Sequence, residues 1–440
     1  MFDVFLINAI AYIATSSIAF WYFRRLNLYI LVWIAYSIIA IFGYICVNMN
    51  LHYSHDINLG YHVSVIPYIC CYITTFLLTW PLIKFDERKI KMNILDLNIF
   101  DKLVAISVLL FTFYSSVNAV RAYIISSTIG FGEAYMMAHA GETNTFFGFS
   151  PLFFSIFGWI GNICNAIQPI YVLYFVNRII KHRGSLPLNL LYCSLAFMPM
   201  LFSSLMMGGK AGIFFIVIDV SFFFMIYKNR TSIKVKFKYY VLGFIALYFL
   251  SSLVSVVTQS RLDEMNNDKT VLETSISYLG ESFPNVGWNL FGKVKNHPNG
   301  ERFFPEIGGY FGTKTKLSQD DDFDMWGLKT GVDIYIFKTF WGDCYVEFGM
   351  LGSFVYISIL FLVMYTFFLR KPNRMSIFPV LFFYYHYILI WGLFTADGFI
   401  GFGKHRMFIF MIIIGFLIYY FIEKRNVNLI LIKRKNKIVR

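Results

Sequence analysis

The feature that most constrains this chain is the recurrence of apolar runs about twenty residues long, separated by short basic loops. Runs of this kind fall near 4–23, 27–48, 61–83, 103–125, 151–176, 188–207, 211–227, 239–259, 346–369, 376–395 and 407–422. The reading is an all-α, polytopic membrane bundle of about eleven spans, since a bilayer core takes about 20 apolar residues per helix. Composition agrees: 58% of the residues are apolar and 14% are charged. A soluble domain carries about 25% charged residues, and a chain this poor in charge needs lipid to cover much of its surface.

The cations set an orientation. The loops at Arg24–Arg25, Lys84–Lys102, Arg178–Arg183, Lys228–Lys238, Arg370–Arg374 and Lys424–Arg440 hold 25 Lys and Arg, whereas those at 49–60, 127–150, 208–210 and 396–406 hold only Lys210, Lys404 and Arg406. The positive-inside rule makes the first set cytoplasmic and predicts an outside N-terminus, a retained first span and an inside C-terminus. The same distribution explains the net charge of +13 without nucleic acid, because basic loops between apolar runs mark membrane orientation. The predicted organisation is a bundle over 1–259, a large external loop over 260–342, a second bundle over 343–422 and a basic cytoplasmic tail over 423–440.

The external face concentrates the residues able to do chemistry. Structureless loops longer than about 12–15 residues are uncommon unless functional. The 260–342 loop is rich in aromatic residues, including Trp288, Trp326 and Trp341, with Gly and Pro between them. Such rings either stack on sugars or anchor the loop at the interface. Within it, 270–282 spaces Val271, Leu272, Ile276 and Leu279 at helical intervals, which predicts an amphipathic helix lying on the membrane. Cations at the outer helix ends, Arg121, Lys210, Arg261 and Arg406, run against the orientation bias and suit a diphosphate, whose oxygens match guanidinium forks. Pairing with a lipid headgroup or a local carboxylate is the plainer alternative for each. Carboxylates near the membrane, including Glu281, Asp333, Asp343 and Glu347, supply candidate general bases.

Metal and disulfide frameworks are not expected. The six Cys show no metal-ligand spacing. The run Asp320-Asp321-Asp322 lacks the ligand pattern of a calcium loop and reads as a solvated acidic turn. Asp219, inside the seventh run, reads as a structural intramembrane acid.

The stretch Gly342-Asp343-Cys344-Tyr345-Val346-Glu347-Phe348-Gly349-Met350-Leu351-Gly352, with Gly331-Val332-Asp333-Ile334-Tyr335 before it and Gly208-Gly209-Lys210-Ala211-Gly212 between runs six and seven, resembles the O-antigen (oligosaccharide repeat-unit) polymerase family of the Wzy type. Lys210 stands where that family often has Arg, and Glu347 where Asp is common, so both charges are kept. The resemblance implies polymerisation of undecaprenyl-diphosphate-linked repeat units on the outer face of the bacterial inner membrane. It implies no cofactor, because the leaving group is already activated. The expected partners are the lipid-linked glycans, membrane lipids, a flippase and a chain-length regulator. It casts Arg121, Lys210, Arg261 and Arg406 as diphosphate-binding residues and Glu347, Asp343 or His405 as the base. An O-antigen ligase shares this architecture. A flippase or transporter would instead be expected to show inverted repeats and interrupted helices.

Overall fold

A computed structural model describes residues 3–51, 63–83, 98–130, 133, 137, 151–181, 183–206, 216–217, 219–223, 237–264, 269–303, 319–334 and 336–369. These residues are helical or irregular, with no strand among them. The helices are α1 (Val4–Phe23), α2 (Leu28–Asn48), α3 (Ile66–Ile83), α4 (Asn98–Thr128), α5 (Pro151–Ile180), α6 (Leu186–Leu195), α7 (Met198–Met206), α8 (Phe237–Glu264), α9 (Val271–Gly280), α10 (Ser282–Asn285), α11 (Gln319–Thr330) and α12 (Phe340–Leu369), with a π turn at Val286–Leu290 after α10.

Five of the described helices are long and apolar enough to cross a membrane, or six if the two halves of α5 form one bent span. Those halves, Ile156–Asn165 and Ile170–Ile179, meet at 49°. The break between them, over 166–169, includes Pro169, which has no N–H for the helix ladder. The predicted runs at 376–395 and 407–422 lie outside the described residues. Helix α8 continues past the expected boundary at 259, and α12 begins before the one at 343.

Helices α1, α2 and α3 share a buried aromatic core around Tyr12, Trp33 and Tyr36, with Tyr12 stacked on Tyr36. Interhelical hydroxyl bonds cross this core, Tyr12 Oη to Thr75 Oγ1 at 3.2 Å and Thr15 Oγ1 to Tyr72 Oη at 2.6 Å. Such bonds join helices in a medium that offers no water to compete. A second set of neighbours consists of α4 against α7, α5 and α6.

Helix α9 forms where a helix was predicted, and its N-terminus is fixed by a capping box between Thr270 and Glu273. Its packing face is not the apolar one. Thr274, Ser277 and Gly280 are buried, while Leu272 is 69% exposed. The small residues let the backbones meet, and a Cβ on Gly280 would lie 2.5 Å from the Phe42 carbonyl oxygen of α2. The acidic run at 320–322 lies in the first turn of α11, where negative charge suits the helix dipole.

Helix α12 packs against α3 and is broken. Gly349 has φ 67° and ψ −175°, a conformation open essentially to glycine alone. The first half, 340–348, is almost wholly buried. Beyond the break an exposed apolar stripe, Leu351, Val355, Ile359 and Leu362, runs along the helix as lipid would require.

Candidate active site

The head of α12 carries the acids. Thr339 caps it, its Oγ1 accepting from the Gly342 N–H at 3.1 Å. The same hydroxyl lies 3.1 Å from the Cys71 thiol of α3. Asp343 and Glu347 follow one helical turn apart, so both carboxylates project from one face.

Opposite them runs the segment from the π turn to Phe303, strapped to α12 along its length. Gly292 N–H donates to Tyr345 Oη at 3.0 Å, and His297 Nδ1 donates to the Val346 carbonyl at 3.0 Å. Asn299 N–H donates to the Glu347 carbonyl at 2.8 Å. The break at Gly349 takes the carbonyls of Val346 and Glu347 out of the regular ladder, and the strap supplies their partners. Asn299, at φ 55°, begins the turn that brings Arg302 inward; Asn is among the residues that tolerate this region best.

Arg302 then reaches both acids. Its Nη2 lies 2.6 Å from Asp343 Oδ1 and its Nε 3.1 Å from Glu347 Oε2. Glu347 Oε1 accepts from the backbone N–H groups of Gly300 at 2.8 Å, Arg302 at 3.1 Å and Phe303 at 3.4 Å. Lys338 Nζ sits 3.6 Å from Asp343 Oδ1 and donates to the Ile334 carbonyl at 2.8 Å. The side chains of Asp343, Glu347 and Lys338 are 0% exposed, and Arg302 is 6% exposed. Two cations face two carboxylates, so the buried charge is balanced. Burial pulls the Arg302 guanidinium down, but Asp343 and Glu347 outweigh it and hold it above its ordinary value.

The two acids have different environments. Glu347 spends both oxygens on the strap, which makes it a structural anchor first. Asp343 Oδ2 has no hydrogen-bond partner among the described residues, although it is buried. A buried acceptor left open beside two cations is where an O–H or N–H donor would be held. Among the described residues, no group of His, Cys, Asp and Glu is arranged to hold a metal ion.

The structure brings Asp343 and Glu347 together and adds Arg302, which sequence reasoning missed. The only hint was a turn signal, Pro298-Asn299-Gly300, just before it. Arg121 is buried in α4, whose main neighbours are α7, α5 and α6, whereas the acids lie on α12 against α3. Arg261 lies near the C-terminal end of α8. Lys210, His405 and Arg406 lie outside the described residues.

No family model, curated protein or solved structure matches the chain.

Proposed function

We propose that this chain is a membrane glycosyltransferase that polymerises undecaprenyl-diphosphate-linked oligosaccharide repeat units into O-antigen or capsular polysaccharide. In this reading it spans the bacterial inner membrane about eleven times, with the N-terminus outside and the C-terminus inside, and works on the outer face. The observation that carries the reading is the convergence of Arg302, from the 260–342 stretch, on Asp343 and Glu347. These are the two acids of the segment that carries the family resemblance.

The acceptor's non-reducing hydroxyl attacks the donor's anomeric carbon, the C–O bond to the diphosphate breaks, and undecaprenyl diphosphate leaves. Asp343 is the better base, because its Oδ2 is open to a hydroxyl donor while Glu347 is engaged by four donors. His405 is the remaining candidate. Arg121, Lys210, Arg261 and Arg406 are the cations proposed to offset the charge that develops on the leaving diphosphate.

The break at Gly349 favours a second reading, a lipid-linked glycan transporter, since transporters build sites from interrupted helices. Against it, the carbonyls of Val346 and Glu347 at this break accept hydrogen bonds from the strap and are not left open to an ion.

Deleting the gene in its host and examining surface polysaccharide on a denaturing gel tests the function. A polymerase leaves a single repeat on the lipid core. A bare core indicates the ligase, and an unchanged ladder contradicts both enzymes.

A further inference from the structure

Arg302 differs from the other three charged members of the cluster in being replaceable. Asp343 retains Lys338, 3.6 Å away, when the guanidinium is withdrawn. Glu347 retains the backbone N–H groups of Gly300 and Arg302 on its Oε1. Neither carboxylate is left bare, so the usual cost of breaking a buried ion pair by removing one partner does not fall in full. Arg302 is buried like the other three, but it is the one with residual exposure, 6% against 0%. Its backbone is held independently of its side chain, through its own N–H on Glu347. An anchored backbone, a long and nearly buried cationic side chain and two carboxylates with reserve partners together describe a hinged arm.

We infer that Arg302 is a diphosphate-binding residue that exchanges ligands: it rests on Asp343 and Glu347 and swings to an anionic diphosphate group when one arrives, uncovering Asp343. The inference rests on the polymerase reading for the identity of the lipid-linked substrate and extends it to a residue and an order of events. A diphosphate competes well because its oxygens match the guanidinium fork as a carboxylate does, with greater charge. In this arrangement donor binding draws the guanidinium off Asp343 Oδ1, so that neither oxygen of the base is held by Arg302.

Direct binding tests the arm without any glycan. Full-length protein in nanodiscs is titrated with radiolabelled farnesyl diphosphate. Arg302→Ala weakens binding about ten-fold or more, as loss of a charged hydrogen-bond donor implies, and Arg302→Lys weakens it less. Asp343→Asn removes the competing carboxylate, raises the fraction of free arm and tightens binding several-fold. A gain of this kind cannot come from misfolding. Wild-type affinity in Arg302→Ala, or unchanged or weaker affinity in Asp343→Asn, overturns the inference, as does equal binding of farnesol. Displacement of the probe by inorganic pyrophosphate supports recognition of the diphosphate alone; failure to displace it supports a lipid-borne diphosphate.

Elongation of lipid-linked repeats is scored separately. Arm behaviour without elongation rejects the polymerase reading alone, and elongation with an indifferent Arg302 rejects the arm alone.

Discussion

Arg302 binds Glu347 twice, once through its backbone N–H to Oε1 and once through its Nε to Oε2, each at 3.1 Å. A residue held in this way has its backbone anchored on one oxygen of the carboxylate and its side chain paired with the other. The neighbouring N–H groups of Gly300 and Phe303 close on the same oxygen, so one acid on a buried helix organises the 300–303 turn.

Replacing Glu347 therefore separates charge from shape. Glu347→Ala leaves the buried Nε and the three N–H groups without their acceptor. It is expected to cost about 3–5 kcal/mol, the range for breaking a buried ion pair. Glu347→Gln keeps one acceptor oxygen and costs less. Hydrogen exchange at residues 299–303 measures it: both variants exchange faster than wild type, Ala most, and equal rates in all three proteins contradict the anchoring role.

Gly349 is a second sharp test. Any L side chain at φ 67° and ψ −175° is strained by about 1–3 kcal/mol. A Cβ there would also lie 3.1 Å from His297 Nε2. Gly349→Ala is expected to lower the melting temperature of the purified protein and to loosen the 297–303 strap. An unaltered melting curve would mean that the helix does not break there.

Asp343→Asn keeps the shape of the side chain but removes its charge and with it the base. Loss of a general base reduces rate by about 10²–10⁴-fold. Complementation of a deletion strain is expected to give single repeats where wild type gives a ladder, with normal amounts of protein in the membrane. A normal ladder would pass the role to Glu347 or His405.

Acid acts on α9 through its cap. Backbone and side-chain hydrogen bonds from Thr270 hold the Glu273 carboxyl below its ordinary value. A depressed carboxyl contributes stability above its unfolded pKa, and that contribution is lost as pH falls through the folded value. The difference in amide exchange at 270–274 between wild type and Glu273→Gln should therefore be present at neutral pH, shrink as the pH falls below the ordinary glutamate range of about 4.3, and vanish once the pH has passed below the depressed folded value. A difference that persists in acid would exclude the capping carboxylate as its cause.

What the sequence made legible follows local periodicity. The helices of α1 to α4 follow directly from apolar run length, and Asp343 and Glu347 fall on one face because four residues make about one turn. The break at Gly349 was not legible, since a glycine between Phe348 and Met350 in an apolar run is also compatible with a continuous helix. Arg302 was not legible for a different reason. It lies 41 residues from Asp343 in sequence, and only tertiary closure brings it to the acids. The face chosen by α9 was missed because apolar periodicity points to Leu272, whereas close backbone packing against α2 selects small residues.

The most direct test of the central claim is reconstitution. Purified full-length protein in liposomes is supplied with undecaprenyl-diphosphate-linked repeat units, and the products are sized by mass spectrometry. The account predicts chains two or more repeats long with release of undecaprenyl diphosphate, and single repeats only with Asp343→Asn. Transfer of intact single repeats across the bilayer, with no new glycosidic bond in wild type, would contradict it.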